Sequence, residues 1–533
     1  MVVMRFKVIF FFLLLLSLPS LLAVCQQSEG DVNGDSVVNA EDITWIKDNP
    51  SLFWSSVLQE EIINLNLFIS QTIKHFDSSC HTSTMSVLQF DAKGDGITND
   101  GPAFQKALDT ISKLGDGSLF IPAGTYFIDQ TLVISDNTEI FGEGEKTILK
   151  RGDTPFNRPL YRGYSNCETN VGFNGRELFS NEKYNCGNSN IFLHHFAVDG
   201  SLVKTVPLAV ALSFSAVKNL RIEHLTIRNV AQDGIFVKNG GVNTVIAENV
   251  IDTPTLRWFN GAGINVEMHK EGNFLVTSES PVRIERNTII LQSPPFCKGS
   301  QTKTCSVNTD CSTGCGSVSN VVGIGATWID GEAAPVVRIT DNVLKITNGH
   351  TGIVCHGCRD SLIENNNIDS MSSNTLRSEL FTGINSEQPG GGYGRNVVIS
   401  KNTITGSGKP GDGRAILFSS NNPLSDKVSI SNNVIARKNM GYSLGALGLR
   451  GYHDFQIEGN VLTDIAGGPG IEIGNCGAGW VVTENGLVTK NSITLSPGNP
   501  AHLNPITLRR TQDVSIIANL VSPDGKAPVD ICD

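Results

Sequence analysis

The feature that most constrains the fold of this chain is a short pattern that recurs from about residue 190 onwards. In most copies two alternating apolar residues and two polar residues precede an asparagine, and an apolar residue follows two positions later. Clear copies are residues 282–289, 337–344, 398–404, 428–435 and 455–462. The asparagines are Asn249, Asn287, Asn342, Asn366, Asn402, Asn433, Asn460, Asn491 and Asn519, and Phe196 and Leu225 hold the position in the earliest copies. Self-similarity at a short period indicates a repeat architecture.

A second element alternates with the first. A small residue followed by an aliphatic one begins a further strand at 234–235, 263–264, 323–324, 352–353, 383–384, 415–416, 446–447, 470–471 and 505–506. Each unit therefore holds at least two short strands, and because one unit cannot bury its apolar face alone, the units must stack. The sequence predicts a parallel β-helix, since propeller blades are longer. Each asparagine is expected at a tight turn, in left-handed backbone, bonded to its copy in the next unit.

The start of the repeat domain predicts an amphipathic helix that caps the open end of the stack. Asp100 is the expected N-cap residue. The apolar stripe that follows consists of Ala103, Phe104, Ala107, Leu108, Ile111 and Leu114. Such a helix would cover exposed strand edges, which otherwise invite aggregation.

Two segments at this point carry a resemblance to a known family. Residues 90–100, the helix and residues 121–126 (Ile-Pro-Ala-Gly-Thr-Tyr) resemble the N-terminal part of the pectate-lyase-like superfamily, which includes polygalacturonases and rhamnogalacturonases. The resemblance covers about residues 88–525 and implies an all-β, right-handed parallel β-helix that acts on an extracellular polysaccharide. The paired Asp-Asp of polygalacturonases is absent, and Asn-Thr-Asp occurs once, at 308–310, in a loop insertion. The resemblance therefore implies fold and substrate class rather than the reaction.

The N-terminus predicts export. Arg5 and Lys7 precede the apolar run 8–16, and Pro19 follows it, as in a secretory signal peptide. The alternatives are a membrane anchor, for which the run is short, and a lipid anchor on Cys25. The expected organisation is 1–25 signal peptide, 26–50 calcium repeat, 51–86 amphipathic helix and linker, and 87–533 β-helix domain with loop insertions at 154–187 and 295–318. No second apolar stretch is long enough to cross a bilayer.

A calcium-binding loop follows the signal. Positions 1, 3, 5, 7, 9 and 12 of a twelve-residue loop are Asp31, Asn33, Asp35, Val37, Asn39 and Asp42. This spacing presents hard oxygen ligands to a cation that takes six to eight of them. An Asx-rich surface turn is the alternative. The loop resembles the first calcium repeat of a type I dockerin, which implies a cohesin-type scaffold as partner. Ser36 departs from that pattern, and no second repeat is found. A further calcium site in the groove described next is left open.

The register of the second element predicts a polar groove. If the aliphatic residue of each pair points inward, the residue three positions later points outward. The resulting row is Lys238, Glu267, Thr327, His356, Glu387, Ser419, Arg450, Gly474 and Arg509. Such a row is a candidate lining for an extended sugar chain, with the alternative that it is a solvated face. Lys238, Glu267, Trp328 and Asp330 are the expected substrate-binding residues.

One mechanism follows from this row. His356 is the candidate base of a uronate lyase, Glu387 its neighbour that favours the imidazolium, and Arg414 or Arg450 the cation that neutralises developing charge. A hydrolase needs two carboxyl groups about 5–9.5 Å apart. Glu267 and Glu387 are three rungs apart, about 14 Å, which leaves Asp330 with Glu387 as an open pair.

The cysteines and the charge complete the prediction. Cys297, Cys305, Cys311 and Cys315 are expected to form two loop disulfides, with zinc as the alternative. Cys167 and Cys186 are expected to form a third disulfide. Cys355 is expected to be a core residue rather than half of a redox pair with Cys358. The net charge of −11 excludes a typical nucleic-acid binder. The leading function is cleavage of an extracellular, uronic-acid-containing polysaccharide by a pectate-lyase-like enzyme. The alternatives are a glycoside hydrolase of the polygalacturonase or rhamnogalacturonase type, a non-catalytic carbohydrate-binding or adhesive protein, and a scaffold-docked component.

Overall fold

The structure is a computed structural model. It describes residues 83–153, 177–183, 187–203, 210–230, 232–238, 242–253, 261–268, 281–292, 296–297, 315–316, 321–328, 336–347, 351–371, 382–387, 394–407, 414–438, 446–465, 468–476, 481–496, 504–522 and 529–530. These residues belong to a compact unit that spans Ser83–Asp533. The signal, the calcium loop and the helix predicted at 51–76 lie outside the described residues.

Three strands form each complete turn of a parallel β-helix, one more than the minimum of two that the sequence required. The first strands of successive turns form a 13-stranded sheet whose order follows the chain. Its strands are β5 (Leu132–Ile134), β7 (Glu177–Asn181), β9 (Val210–Ser215), β12 (Ile235–Lys238), β15 (Ala262–Met268), β20 (Val322–Trp328), β23 (Thr351–Cys355), β26 (Thr382–Glu387), β29 (Ile416–Ser419), β32 (Leu447–Arg450), β35 (Ile471–Gly474), β38 (Ile506–Arg509) and β41 (Val529–Asp530). We call it the first sheet.

The second and third strands of each turn form two ladders that merge into one 26-stranded sheet through two long shared strands. The second ladder contains β1 (Thr84–Ser86), β3 (Gly117–Ile121), β6 (Thr138–Arg151), β8 (Ser189–Asp199), β10 (Lys218–Glu223), β13 (Val245–Ala247), β16 (Val282–Glu285), β21 (Val337–Thr340), β24 (Arg359–Glu364), β27 (Arg395–Ser400), β30 (Asp426–Ser431), β33 (His453–Glu458), β36 (Thr483–Thr489) and β39 (Thr511–Ile517). The third contains β2 (Asp95–Asn99), β4 (Gly124–Ile128), parts of β6 and β8, β11 (Thr226–Arg228), β14 (Val250–Thr253), β17 (Thr288–Gln292), β22 (Val343–Thr347), β25 (Asn367–Met371), β28 (Thr403–Ser407), β31 (Val434–Lys438), β34 (Val461–Ile465), β37 (Ser492–Leu495) and β40 (Leu520–Ser522).

The N-terminal cap forms as predicted, with two differences. A 3₁₀ turn (Val87–Phe90) and helix α1 (Gly101–Leu114) close the first turn. Leu114 was expected in the buried stripe but is 60% exposed, because the helix ends there at Gly115. Asp100 precedes the helix, yet its carboxylate accepts backbone N–H bonds from Lys93 at 2.6 Å and Gly94 at 3.1 Å instead of capping helical N–H groups.

The asparagine ladder is confirmed and runs through the corner between the second and third strands. Side-chain Nδ2 donates to the Oδ1 of the next asparagine at 2.9–3.0 Å from Asn249 through Asn519. The backbone prediction was wrong by one position. The left-handed residue is the one before each asparagine, for example Asn365 (φ 56°) and Lys401 (φ 57°). The preceding residue thus makes the turn, while the asparagine points inward to satisfy buried carbonyls.

Boundaries and cysteines also differ from expectation. β1 pairs with β3, so the β-helix begins at residue 84 rather than 87. The insertion predicted at 154–187 contains β7, a strand of the first sheet. In the other insertion the backbones of Cys297 and Cys315 lie opposite each other in two short antiparallel strands, β18 (Phe296–Cys297) and β19 (Cys315–Gly316), and the side chains of these cysteines lie outside the described residues. Cys355 lies in the core as predicted, but it also forms a disulfide with Cys358.

Candidate functional site

The outer face of the first sheet carries two rows of outward residues, and the sequence predicted only one. The unpredicted row, one position after each inward aliphatic residue, is continuous through eight strand pairs: Phe236, Asn265, Gly325, Val354, Asn385, Leu417, Gly448, Glu472 and Thr507. Of this row, Phe236, Val354, Asn385, Leu417, Glu472 and Thr507 are buried. The floor of the predicted groove is therefore more apolar and more buried than a solvated face would be.

Three arginines converge on one buried carboxylate in the C-terminal half of this face. The Glu472 side chain is 3% exposed, and its oxygens lie 2.9 Å from Nη2 of Arg414, 3.2 Å from Nη2 of Arg450 and 3.2 Å from Nε of Arg509. Arg414 reaches Glu472 by crossing β32 above Gly448, where an added Cβ would collide with the guanidinium. We call these four charged residues the arginine cluster.

The arginine cluster carries more positive than negative charge. Burial lowers the pKa of Arg414 to about 10, an effect that the Glu472 carboxylate opposes, so the guanidinium stays protonated at neutral pH. Nη1 of Arg414 and Nε of Arg450 are buried and have no hydrogen-bond acceptor. Unpaired donors beside surplus positive charge suit an anionic group such as a carboxylate, which can accept several charge-assisted bonds.

His356 lies immediately after β23, in a turn that the Cys355–Cys358 disulfide closes. Its backbone N–H donates to the carbonyl of Ala326 at 2.9 Å. Burial lowers the pKa of the imidazole to about 4, so the ring is neutral at pH 7, as a base that accepts a proton must be. Its Nε2 is buried without a hydrogen-bond partner, as is Oδ1 of Asn385 on the next strand. Two unsatisfied atoms so placed make the centre of the face a candidate ligand site.

The structure does not bring the predicted cations to His356. Arg414 ends at Glu472 on β35, four strands beyond β23, or about 19 Å at the usual strand spacing. Arg450 lies on β32, three strands away or about 14 Å, and it also points to Glu472. Only an extended polymer could contact His356 and the arginine cluster at the same time. The side chains of Glu387 and Trp328, and the whole of Asp330, lie outside the described residues.

A further group at the N-terminal end of this face was not predicted. Asp233 is buried and accepts a backbone bond from Ala262 at 2.7 Å, and burial raises the pKa of its carboxyl to about 8. Asn265 hydrogen-bonds Asp233 and donates from Nδ2 to Oε1 of Glu267 at 3.1 Å. Lys238 lies beside Glu267 in register. The sequence feature that could have predicted this group is the Asp that directly precedes the Gly–Ile pair at 234–235.

No group of three or more His, Cys, Asp or Glu side chains within the ranges given above could hold a metal ion. No helix in that same part of the chain is long and apolar enough to cross a membrane.

Comparison with known proteins identifies the superfamily of the fold. A family model described as rhamnogalacturonase A/epimerase, pectate lyase-like, matches residues 84–290, and one described as right-handed β-helix region matches residues 322–504. Together with the stacked parallel sheets, these matches show a right-handed β-helix of the pectate lyase-like superfamily.

The individual relatives are distant and differ in function. The preneck appendage protein of Bacillus phage PZA is 28% identical over 169 residues, which cover 30% of this chain and 17% of that protein. Alginate lyase 7 of Azotobacter vinelandii is 38% identical over 76 residues, covering 13% of this chain and 9% of the lyase. The solved A-module of mannuronan C-5 epimerase AlgE4 from Azotobacter vinelandii has a TM-score of 0.43 at 15% identity, over 84% of this chain and 99% of the module. The chain thus spans less than a fifth of the length of the two curated relatives.

Proposed function

We propose that this protein is a secreted carbohydrate-active enzyme that binds a uronic-acid-containing polysaccharide along the outer face of the first sheet. The observation that carries the proposal is the arginine cluster, in which three guanidinium groups share one carboxylate. A single buried carboxylate cannot neutralise three cations. Negative charge from a ligand would complete the cluster and satisfy its unpaired donors.

His356 is the proposed base that removes the proton α to the uronate carboxylate. A neutral imidazole with an unpaired Nε2 can accept that proton directly. The unpaired Oδ1 of Asn385 can accept a hydrogen bond from a sugar hydroxyl. We assign Glu387 to orienting His356. The arginine cluster anchors uronate carboxylates several sugars away, because its distance from His356 excludes direct contact with the same residue of the polymer.

A hydrolase is the second candidate, and one observation favours it. Asp233, with its pKa raised to about 8, would be a protonated carboxylic acid at neutral pH close to the Glu267 carboxyl. Two carboxyl groups kept in different protonation states are what glycoside hydrolysis uses. In that case the reacting bond would lie above β12 and β15 rather than above β23.

One experiment separates these functions. Polygalacturonate, alginate and a neutral glycan are incubated with the protein in D₂O, and absorbance near 235 nm, reducing ends and deuterium at C5 are measured. A lyase gives absorbance near 235 nm and new reducing ends without deuterium at C5, because elimination leaves a C4–C5 double bond. An epimerase gives deuterium at C5 alone, and a hydrolase gives reducing ends alone. The absence of all three signals on every substrate would overturn the enzymatic proposal and leave carbohydrate binding.

Variants place the reaction on the face. His356→Gln and Glu387→Ala should each lower turnover by about 10²-fold, the scale of a general base. His224→Gln is the matched control, since that imidazole is 42% exposed and pairs with Glu248 at 3.4 Å away from the first sheet. Loss of activity in Asp233→Asn with full activity in His356→Gln would move the reaction to the carboxyl pair.

We also propose that residues 1–25 direct export and that residues 31–42 bind calcium. The basis is the sequence pattern alone: a charged start with an apolar run, and oxygen ligands at loop positions 1, 3, 5, 7, 9 and 12. N-terminal sequencing of the exported protein tests the first proposal. Pull-down with a type I cohesin tests whether the single repeat binds a scaffold.

A further inference from the structure

A second cleft lies on the second ladder, away from the first sheet. It is an open cleft with a volume of about 330 Å³, and it is lined by Arg395, Pro423, Leu424, Asp426, His453 and Asp454. Arg395, Asp426, His453 and Glu484 lie side by side on β27, β30, β33 and β36, in register from strand to strand. Because consecutive strands are about 4.8 Å apart, the four side chains form one short polar row.

The hydrogen bonding of His453 fixes what this row can recognise. Nδ1 of His453 lies 2.9 Å from Oε1 of Glu484, and since a carboxylate only accepts, the hydrogen is on Nδ1. When the ring is neutral, Nε2 is therefore an acceptor, and it is buried without a partner. Oδ1 of Asp426, on the adjacent strand, is also buried and accepts no hydrogen bond, although Arg395 Nε lies 3.4 Å away. Two adjacent unpaired acceptors call for a ligand with two neighbouring donors.

The rim of the cleft is apolar and held in place. Leu424 is 61% exposed although it is a large apolar residue, and Pro423 precedes it. The loop is braced by hydrogen bonds from the backbone N–H of Asn422 to Oγ of Ser420 and from that of Leu424 to Oδ1 of Asn422, each 3.0 Å. This wall is therefore pre-organised to pack against the C–H surface of a ligand.

The charge of the cleft differs in sign from that of the arginine cluster. Among the lining residues Asp426 and Asp454 face one cation, Arg395, and the neighbouring strands add Glu484 beside His453 and Arg359 beside Arg395, so these acidic groups outnumber the cations by one. A uronate carboxylate would be repelled here, whereas a neutral ligand would not.

We propose that this cleft binds a neutral pyranose of a glycan. Two vicinal hydroxyls donate to Oδ1 of Asp426 and Nε2 of His453, a sugar oxygen accepts from Arg395, and the C–H face packs on Pro423 and Leu424. The inference goes beyond the proposed function, because it concerns a different face and a ligand of different charge, and it holds whether or not the first sheet is catalytic.

Saturation-transfer NMR on the full chain tests the proposal with the methyl glycosides of galactose, glucose, mannose and galacturonic acid. At concentrations up to about 10 mM, above the Kd of a millimolar complex, we expect at least one neutral glycoside to bind and methyl galacturonate not to compete for that site. Binding of the neutral sugar should weaken at least tenfold in Leu424→Asp and in His453→Ala.

Leu424→Asp changes an exposed side chain, so the variant should fold. Leu520→Asp is its control, because Leu520 is 70% exposed on β40, outside the cleft. Three results would each overturn the proposal: no binding of any neutral glycoside, binding that survives both cleft variants, or equal loss in Leu520→Asp. None of these results bears on the uronate reaction, which is measured separately.

Discussion

Removing one rung of the asparagine ladder should destabilise the whole β-helix. Asn402 is fully buried in the middle of the ladder. Its Nδ2 donates to the carbonyl of Ile363 at 2.9 Å and to Oδ1 of Asn433 at 3.0 Å. Its Oδ1 accepts from the backbone N–H and the Nδ2 of Asn366, at 3.0 and 2.9 Å. Asn402→Ala removes all four hydrogen bonds.

The cost follows from the groups that would be left without partners. The carbonyl of Ile363 loses its side-chain donor and the backbone N–H of Asn366 its acceptor. In contrast, Nδ2 of Asn366 keeps its hydrogen bonds to two backbone carbonyls. Oδ1 of Asn433 still accepts a hydrogen bond from the backbone N–H of Asn402. Leaving a buried polar group unpaired costs about 1–3 kcal/mol. The carbonyl of Ile363 keeps its place in the backbone ladder with β27, so the Asn366 N–H is the group left unpaired, and the expected loss is about 1–3 kcal/mol in the free energy of unfolding.

Guanidinium chloride unfolding followed by circular dichroism measures this loss as a shift in the transition midpoint. The control is Gln456→Ala, because Gln456 is an exposed residue of β33 whose side chain donates one exposed hydrogen bond, to Glu458, and the substitution should change stability by less than about 0.5 kcal/mol. A loss below about 1 kcal/mol in Asn402→Ala, or one equal to that of the control, would refute the reasoning that the ladder bonds stabilise the fold.

Three further predictions concern charged groups. Because burial lowers the pKa of His356 from 6.5 to about 4, the unfolded chain binds more protons between these values. His356 should therefore lower the free energy of unfolding by up to about 3 kcal/mol as the pH drops from 6.5 to 4, and this contribution to the pH dependence should be absent in His356→Gln. Glu472→Gln should cost about 3–5 kcal/mol at pH 7 in the same assay, since it leaves buried guanidinium groups without a counter-charge; an unchanged midpoint would contradict the role assigned to the carboxylate. Calorimetry should show one calcium ion bound with a Kd of about 10⁻⁴–10⁻³ M and no binding in Asp31→Ala.

The repeat pattern was sufficient to predict the fold because the same physical requirement recurs in every turn. Each asparagine had to satisfy buried carbonyls, and each small–aliphatic pair had to begin a strand of the first sheet. Backbone conformation was harder to predict. Asn365 and Asn366 are the same residue type, and only the inward direction of Asn366 decides which of the two adopts the left-handed conformation.

The candidate site was predicted less completely because long side chains cross several strands. The alternation rule placed His356 on the outer face, but it assigned Arg414 by its backbone position. The Arg414 side chain instead passes over Gly448 to a carboxylate two strands on. Glu472 itself stands one position after an inward isoleucine, in the row that the sequence reasoning left out. The burial of His356, which keeps its imidazole neutral, depends on tertiary packing that the local sequence pattern does not predict.

The most direct test of the central claim is a binding titration with hexamers of galacturonate and of mannuronate at several salt concentrations. At least one of them should bind the wild-type protein, with an affinity that falls as salt rises. Arg450→Gln should weaken this binding at least tenfold. Arg286→Gln should leave it unchanged, because that guanidinium pairs with Glu248 at a corner of the second ladder. Absence of uronate binding, or equal weakening by both substitutions, would contradict the assignment of the outer face of the first sheet as the site for an anionic polysaccharide.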